Sequence, residues 1–104
     1  MKQLNLPARP NIEFETQQNG VNFRLKIYAV STGVLMADIY ADNIPIITGV
    51  LCQAKTPLID FNYLAKNGNF IFATDEKGSY PDWRKFPNKH KFYYLEPEEQ
   101  YNGL

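Results

Sequence analysis

The sequence predicts an all-β protein, a small antiparallel β-barrel or sandwich of about six to seven strands. Residues 21–30 alternate between apolar side chains and polar or amphipathic ones, a period of two that is typical of a strand with one buried face. Asn19-Gly20 precedes this stretch and is the strongest short hairpin signal, because both turn residues tolerate positive φ. Similar segments recur at close spacing between turn residues, whereas no window of ten or more residues has helical periodicity.

Turn residues divide the chain into short extended segments. Pro7 and Pro10 predict that residues 1–10 form an extended arm or an edge strand, because proline disfavours helix. Residues 31–33 and Asp42-Asn43 are further tight turns, since their residue types tolerate left-handed backbone geometry. The segments predicted as strands beyond this arm are 12–16, 21–30, 34–41, 44–52, 57–61, 69–74 and 91–95.

Two neighbouring segments carry apolar side chains on both faces. Val34, Met36 and Tyr40 lie on the face of 34–41 opposite to the one that holds its other apolar residues, and residues 44–52 are also apolar on both faces. Such strands are either central strands covered on both sides or strands whose outer face meets a partner. Val34, Met36 and Tyr40 are therefore candidate interface residues.

The segment 44–52 contains two residues that interrupt regular strand pairing. Pro45 cannot donate a hydrogen bond, which places the start of the strand at a sheet edge. Gly49 indicates a β-bulge or a close approach of another backbone.

The longest irregular stretch, residues 75–88, holds three aromatic residues at intervals of three. Tyr80, Trp83 and Phe86 lie among basic residues, a composition found at interfaces and at sites where rings stack on sugars or single-stranded bases. The alternative is that these rings cap an open end of the β-structure. Tyr80, Trp83 and Phe86 join the candidate interface residues.

Composition limits the domain organisation and the function. The 104 residues are expected to form one domain, with an acidic and mobile tail at 96–104. Eleven basic and eleven acidic residues cancel, so no nucleic-acid contact is expected from the charge. No segment approaches the roughly 20 apolar residues that span a bilayer, and no secretory signal is evident at the start, so we expect synthesis in a cytosol.

The residues that usually carry catalysis are sparse. Cys52 is the only cysteine and lies in an apolar run, which predicts a buried thiol, and His90 between two lysines is expected to be solvated. One cysteine and one histidine cannot complete a tetrahedral zinc site. Glu13 and Glu15 share the solvent face of one predicted strand, which does not suit a general acid. We therefore predict no catalytic residue, no cofactor and no metal, and no enzyme.

A succession of short motifs resembles the phage baseplate plug family, small β-proteins of contractile-tailed phages. The resemblance is clearest in Gly49-Val50-Leu51-Cys52, Pro57-Leu58-Ile59 and Tyr63-Leu64. It continues back to Leu4-Asn5-Leu6-Pro7 and forward to Phe92-Tyr93-Tyr94-Leu95. Two departures from the family are 65–67, where relatives often carry more glycine, and the loop 77–91, which is rich in lysine and aromatic residues.

The resemblance implies a structural protein of the virion with no catalytic residues. It implies a place at the central hub of the tail baseplate, on the tail axis, where the plug helps to close the tail tube until contraction. The implied partners are hub, tube and spike proteins, with several copies around the axis and no membrane. The alternative that the residues leave open is a free-standing β-barrel module that binds an oligonucleotide or a saccharide through residues 80–86.

Overall fold

Two antiparallel sheets enclose one core, which confirms the all-β prediction and selects a sandwich over a closed barrel. The computed structural model describes residues 2–30, 34–59, 66–74 and 80–98. In these ranges one sheet has four strands and the other has three. The strands are β1 (Lys2–Leu4), β2 (Asn11–Gln18), β3 (Val21–Ala29), β4 (Leu35–Ala41), β5 (Ile44–Leu51), β6 (Asn69–Ala73) and β7 (Lys91–Leu95), and a short 3-10 helix covers Trp83–Lys85.

The four-stranded sheet has the order β2-β3-β4-β5, so every strand pairs with its neighbour in sequence. Asn19 and Gly20 have φ values of 53° and 75°, and Asp42 and Asn43 have 50° and 68°. Positive φ at both central residues matches the twist of the flanking strands, which confirms the two predicted hairpin turns. The prediction for β3 is also confirmed, because its buried residues are Val21, Phe23, Leu25 and Ile27.

The three-stranded sheet has the order β1-β7-β6 and joins distant parts of the chain. β1 lies at its edge, with Lys2 opposite Tyr94. The outer side of β6 is covered by the segment 54–58, where the Lys55 N–H donates to the carbonyl of Phe72 at 2.7 Å. The Leu58 N–H donates to the carbonyl of Phe70 at 2.9 Å.

The strand predicted over 57–61 is not formed in 57–59, and residues 60–61 lie outside the described ranges. Leu58 and Ile59 are nonetheless buried, at 1% and 3% exposed. Lys55 has a φ of 60°, which interrupts the extended path just before this segment. The segment therefore makes single hydrogen bonds to β6 and no regular ladder.

The core between the sheets is built largely from aromatic rings. Phe23 of β3 meets Phe70 of β6 edge to face, with the ring centroids 5.2 Å apart. Phe72 and Phe92 lie 4.6 Å apart on the other sheet. Such pairs contribute about 0.5–1.5 kcal/mol each beyond the burial of their area. The Phe23–Phe70 pair joins the two sheets, and the Phe72–Phe92 pair packs neighbouring strands of one sheet.

Phe86 and His90 also belong to the interior. Phe86 is 5% exposed and stacks on Phe72 with centroids 5.8 Å apart, so this ring caps the core. The expectation of a solvated His90 is wrong: it is 2% exposed, and its Nδ1 accepts from the Asp82 N–H at 2.8 Å. The reason is local, because the N–H groups of Lys89 and His90 both donate to the carbonyl of Lys85 and turn the chain back towards the core.

Candidate functional site

The face of the four-stranded sheet that points away from the core, which we call the outer face, has an ordered pattern of side chains. The register aligns its residues in rows that cross the strands. The rows are Tyr28–Met36–Leu51, Glu13–Lys26–Asp38 and Glu15–Arg24–Tyr40–Pro45. Apolar and charged rows therefore lie side by side.

The first row and its neighbours form an apolar end of the outer face. Met36 lies opposite Tyr28 on one side and Leu51 on the other. Beyond this row the Val30 N–H donates to the carbonyl of Val34 at 3.0 Å, which continues the pairing of β3 with β4 by one step. Val34 and Met36 are half-buried, and Val30 and Leu51 are 36% and 37% exposed. The chain leaves this apolar end partly open to solvent.

Asp38 organises the middle row. Its Oδ1 accepts from the Gly49 N–H at 2.7 Å and from the Tyr28 hydroxyl at 3.4 Å. Gly49 has a φ of 64° and lies where the pairing of β4 with β5 shifts register, so the predicted bulge is present. Desolvation and the nearby Asp38 carboxylate raise the pKa of Tyr28, which therefore remains a neutral hydrogen-bond donor.

Tyr40 lies on the outer face as predicted but contacts cations. The Arg24 Cζ atom lies 4.5 Å from the centroid of the Tyr40 ring, and the Lys26 Nζ atom lies 6.0 Å from it. The attraction between a cation and an aromatic ring is worth about 0.5–1 kcal/mol at such exposed sites. The Arg24 Nε is buried and has no hydrogen-bond partner within the described ranges. Tyr40 thus lies in a cluster of one aromatic and two basic side chains.

The structure does not bring Tyr80, Trp83 and Phe86 together on one surface. Tyr80 is 50% exposed, whereas Phe86 is in the core. Trp83 begins the 3-10 helix, packs against the core, and has the Arg84 Cζ atom 4.8 Å from its ring centroid. A flat aromatic platform of three rings is therefore not formed, and capping is the role of Phe86.

The edge strand β5 exposes apolar residues that the sequence pattern did not single out individually. Ile44 is 65% exposed and borders an open cleft of about 370 Å³ at the end of the sandwich. Phe23 and Ile46 form the apolar wall of this cleft, and Lys66 lies at its rim. The signal for Ile44 and Leu51 was the apolar character of 44–52 on both faces.

Metal binding and nucleophilic catalysis have little support in the described ranges. They contain no group of three or more His, Cys, Asp or Glu side chains that could hold a metal ion. Burial raises the pKa of the Cys52 thiol to about 12, so the predicted buried thiol is confirmed. Glu13 and Glu15 are exposed, as predicted for a solvent face. The described residues form no helix that is long and apolar enough to cross a membrane.

A family model described as "Cyanophage baseplate Pam3 plug gp18" matches residues 1–98. No curated protein matches the chain. The family match spans both sheets of the sandwich and the strands that carry the outer face.

Proposed function

The chain belongs to the cyanophage baseplate plug family, and from this premise we propose that it binds hub, tube and spike proteins and helps to close the tail tube until contraction. It is a structural protein of the phage tail baseplate and is located there in the virion. The observation that carries the proposal is the family match over residues 1–98. We place the protein at the central hub, in several copies around the tail axis.

The apolar end of the outer face supports binding to other proteins. Met36 and Leu51 lie side by side across β4 and β5, and Leu51 is exposed. A neighbouring protein that covers this row removes apolar area from water, which contributes about 25 cal/mol per Å². Charged rows beside it supply the polar rim that interfaces commonly have.

The proposed role is structural and not enzymatic. The Cys52 thiol is fully buried and its pKa is raised to about 12, which leaves it protonated at neutral pH. On the outer face Asp38 accepts from Tyr28 and Gly49, and Arg24 lies over the ring of Tyr40, contacts that stabilise the sheet.

Size-exclusion chromatography with light scattering tests the proposal. The purified chain is measured alone and with the hub, tube and spike proteins of the same phage, and we expect a stable complex with at least one of them. Light scattering also gives the number of copies in that complex. A chain that stays monomeric and binds none of the tail proteins would contradict the proposal.

A pair of variants assigns the contact. We expect Met36→Lys with Leu51→Lys to weaken the complex, because two charges would then enter the apolar row. Gln3→Lys with Asn88→Lys makes the same change in net charge at exposed positions outside the four-stranded sheet. The control should leave the complex intact; equal effects of both variants would place the contact elsewhere.

A further inference from the structure

In the described part of the chain no strand pairs with the outer edge of β2, and we infer that this edge accepts an extended segment of another protein with basic residues at alternate positions. The segment would add as a fifth strand beside β2. The inference deepens the proposed function and rests on it only for the origin of the segment, which would then be another baseplate protein. Strand addition itself is a property of the isolated chain.

The hydrogen bonds of β3 fix which backbone groups of β2 point outward. The Ala29 N–H donates to the carbonyl of Pro10 at 2.8 Å, so the odd-numbered residues of β3 bond towards β2. The Asp42 N–H donates to the carbonyl of Asn22 at 2.9 Å, so the even-numbered residues bond towards β4. Antiparallel pairing alternates strictly, and the residues of β2 opposite the even-numbered ones point their N–H and C=O groups away from the sheet. These residues are Asn11, Glu13, Glu15 and Gln17, and all four are exposed.

The other strand edges are protected against such pairing. β5 contains Pro45 and two register shifts against β4, devices that disrupt an edge. β6 is covered by the segment 54–58, and β1 is only three residues long. In contrast, β2 is eight residues long, pairs with β3 without a shift, and has β3 as its one strand neighbour in the described part of the chain.

Charge selects the kind of segment that fits this edge. Glu13 and Glu15 stand two residues apart on the outer face of β2, directly opposite Lys26 and Arg24 of β3. A strand added on the other side of β2 would place its own side chains opposite the same two carboxylates. Opposite charges in directly facing positions stabilise a strand pair and like charges destabilise it. Lysine or arginine at alternate positions of the segment therefore fits.

The inner side of the same edge calls for apolar residues at the intervening positions. Phe14 is only half-buried although it packs on the core, where its ring meets Phe92 edge to face at 6.4 Å. An apolar side chain of the added strand would cover Phe14. The fitting segment thus alternates basic and apolar residues.

The β2 strand of a second copy fits this edge poorly. Two copies of β2 that pair about a two-fold axis through Phe14 would place Glu13 opposite Glu15 of the other copy twice. An axis through Glu13 or Glu15 would place that residue opposite its own copy. Like charges face each other in each of these registers. An axis through Ile12 or Thr16 avoids this repulsion but pairs only residues 11–13 or 14–18 of β2, which disfavours a symmetric dimer through this edge.

A synthetic peptide tests the inference directly. The probe is a ten-residue peptide in which lysine and valine alternate, and the control peptide has the same composition with the lysines grouped at one end. Binding is followed by NMR on the isotope-labelled chain. We expect the alternating peptide to shift and protect from exchange the amides of Glu13, Glu15 and Gln17, and the control peptide to bind much more weakly. Absence of binding, or shifts confined to other strands, would overturn the inference.

Variants separate a local contact from general charge attraction. Glu13→Gln with Glu15→Gln and Thr48→Lys with Gln53→Lys change the net charge by the same amount, but the second pair lies at exposed positions in and just after β5. We expect the first pair of substitutions to lower the affinity for the alternating peptide about fivefold and the second pair to leave that affinity nearly unchanged. Equal weakening by both pairs would reduce the effect to long-range attraction and overturn the inference.

Removing one of the outward backbone donors is the third test. Glu15→Pro deletes an N–H that makes no bond within the sheet, so proline is tolerated there and we expect binding to be lost. If this variant does not fold, peptides N-methylated at one or the other alternate set of amides replace it. One set should abolish binding and the other preserve it; equal behaviour of both would contradict strand addition. Binding to hub or tube proteins in size-exclusion chromatography is measured separately, so the proposed function stands or fails independently.

Discussion

A side chain at position 68 has no space, because the ring of Tyr94 occupies the position from which it would extend. A Cβ atom added to Gly68 would lie 2.6 Å from the Tyr94 Cζ, well inside a normal contact. Gly68 also has a φ of +115°, a conformation that other residues rarely adopt. The Tyr94 hydroxyl donates to the carbonyl of Asn67 at 2.7 Å. The buried ring and the turn before β6 are thus fitted to each other.

We expect Gly68→Ala to lower the free energy of unfolding by about 3 kcal/mol, because the ring must move and the backbone is strained. Urea denaturation followed by circular dichroism measures the loss. Gly20→Ala is the matched control, since Gly20 also has positive φ, at 75°, but has open space around it. It should cost only about 1 kcal/mol. Equal losses would show that the fit against Tyr94 adds nothing to the backbone term.

Asn69 joins the start of β6 to the neighbouring chain segment, and we expect Asn69→Ala to destabilise the fold by about 3 kcal/mol. Asn69 is 1% exposed, accepts from the Ile59 N–H at 3.0 Å, and donates to the Ile59 carbonyl at 2.8 Å. Its loss leaves these backbone groups buried without their partner. Asn88→Ala, at an exposed position, should change stability by less than about 0.5 kcal/mol. Thermal and urea unfolding of both variants measure the difference.

Cys52 should resist thiol reagents in the folded protein and react only after unfolding. The thiol is fully buried, and burial raises its pKa to about 12 from an ordinary value of 9.0. Titration with a chromogenic disulfide at pH 8, with and without denaturant, tests this. Rapid labelling of the native chain would contradict the buried position.

The same pKa shift of Cys52 predicts a pH dependence of stability. The contribution from the neutral buried thiol is fully present below pH 9 and is lost as the pH rises from about 9 towards 12, because the unfolded thiol ionises first. At one pH unit above the unfolded value, the loss is about 1.4 kcal/mol. Cys52→Ala lacks this term, so the difference between the free energies of unfolding of the two proteins should shrink over this pH range. A constant difference would oppose the prediction.

The fluorescence of Trp83 should not change on titration with single-stranded oligonucleotides or oligosaccharides. Phe86 lies in the core, and the Arg84 guanidinium stacks near the Trp83 ring, so the expected platform for bases or sugars is not assembled. Trp83 is the only tryptophan, which makes the signal specific. A saturable change with any of these ligands would revive the alternative of a free-standing binding module.

Residue patterns predicted the local features of this chain but not all of its tertiary contacts. Alternation in β3 and the positive-φ turns at Asn19-Gly20 and Asp42-Asn43 depend on neighbours in sequence, and these were predicted correctly. The burial of His90 was not, because hydrogen bonds to the carbonyl of Lys85 turn the chain inward despite the two flanking lysines. The strand predicted over 57–61 is not formed in its described residues 57–59 for a related reason, since the backbone geometry at Lys55 is not encoded in an apolar pattern.

The amino-acid sequence by itself determined the strands and tight turns that make up the four-stranded sheet, the residues that point to its two faces and the likeness to baseplate plugs. Strand periodicity and tight-turn chemistry act over a few residues, and a pattern records them directly. Only the tertiary structure decided that the sheets form a sandwich, that β1 pairs with β7, that β2 has one strand neighbour among the described residues, and where β5 is bulged. These choices join segments far apart in the chain and depend on how aromatic rings such as Phe23 and Phe70 fill one shared space.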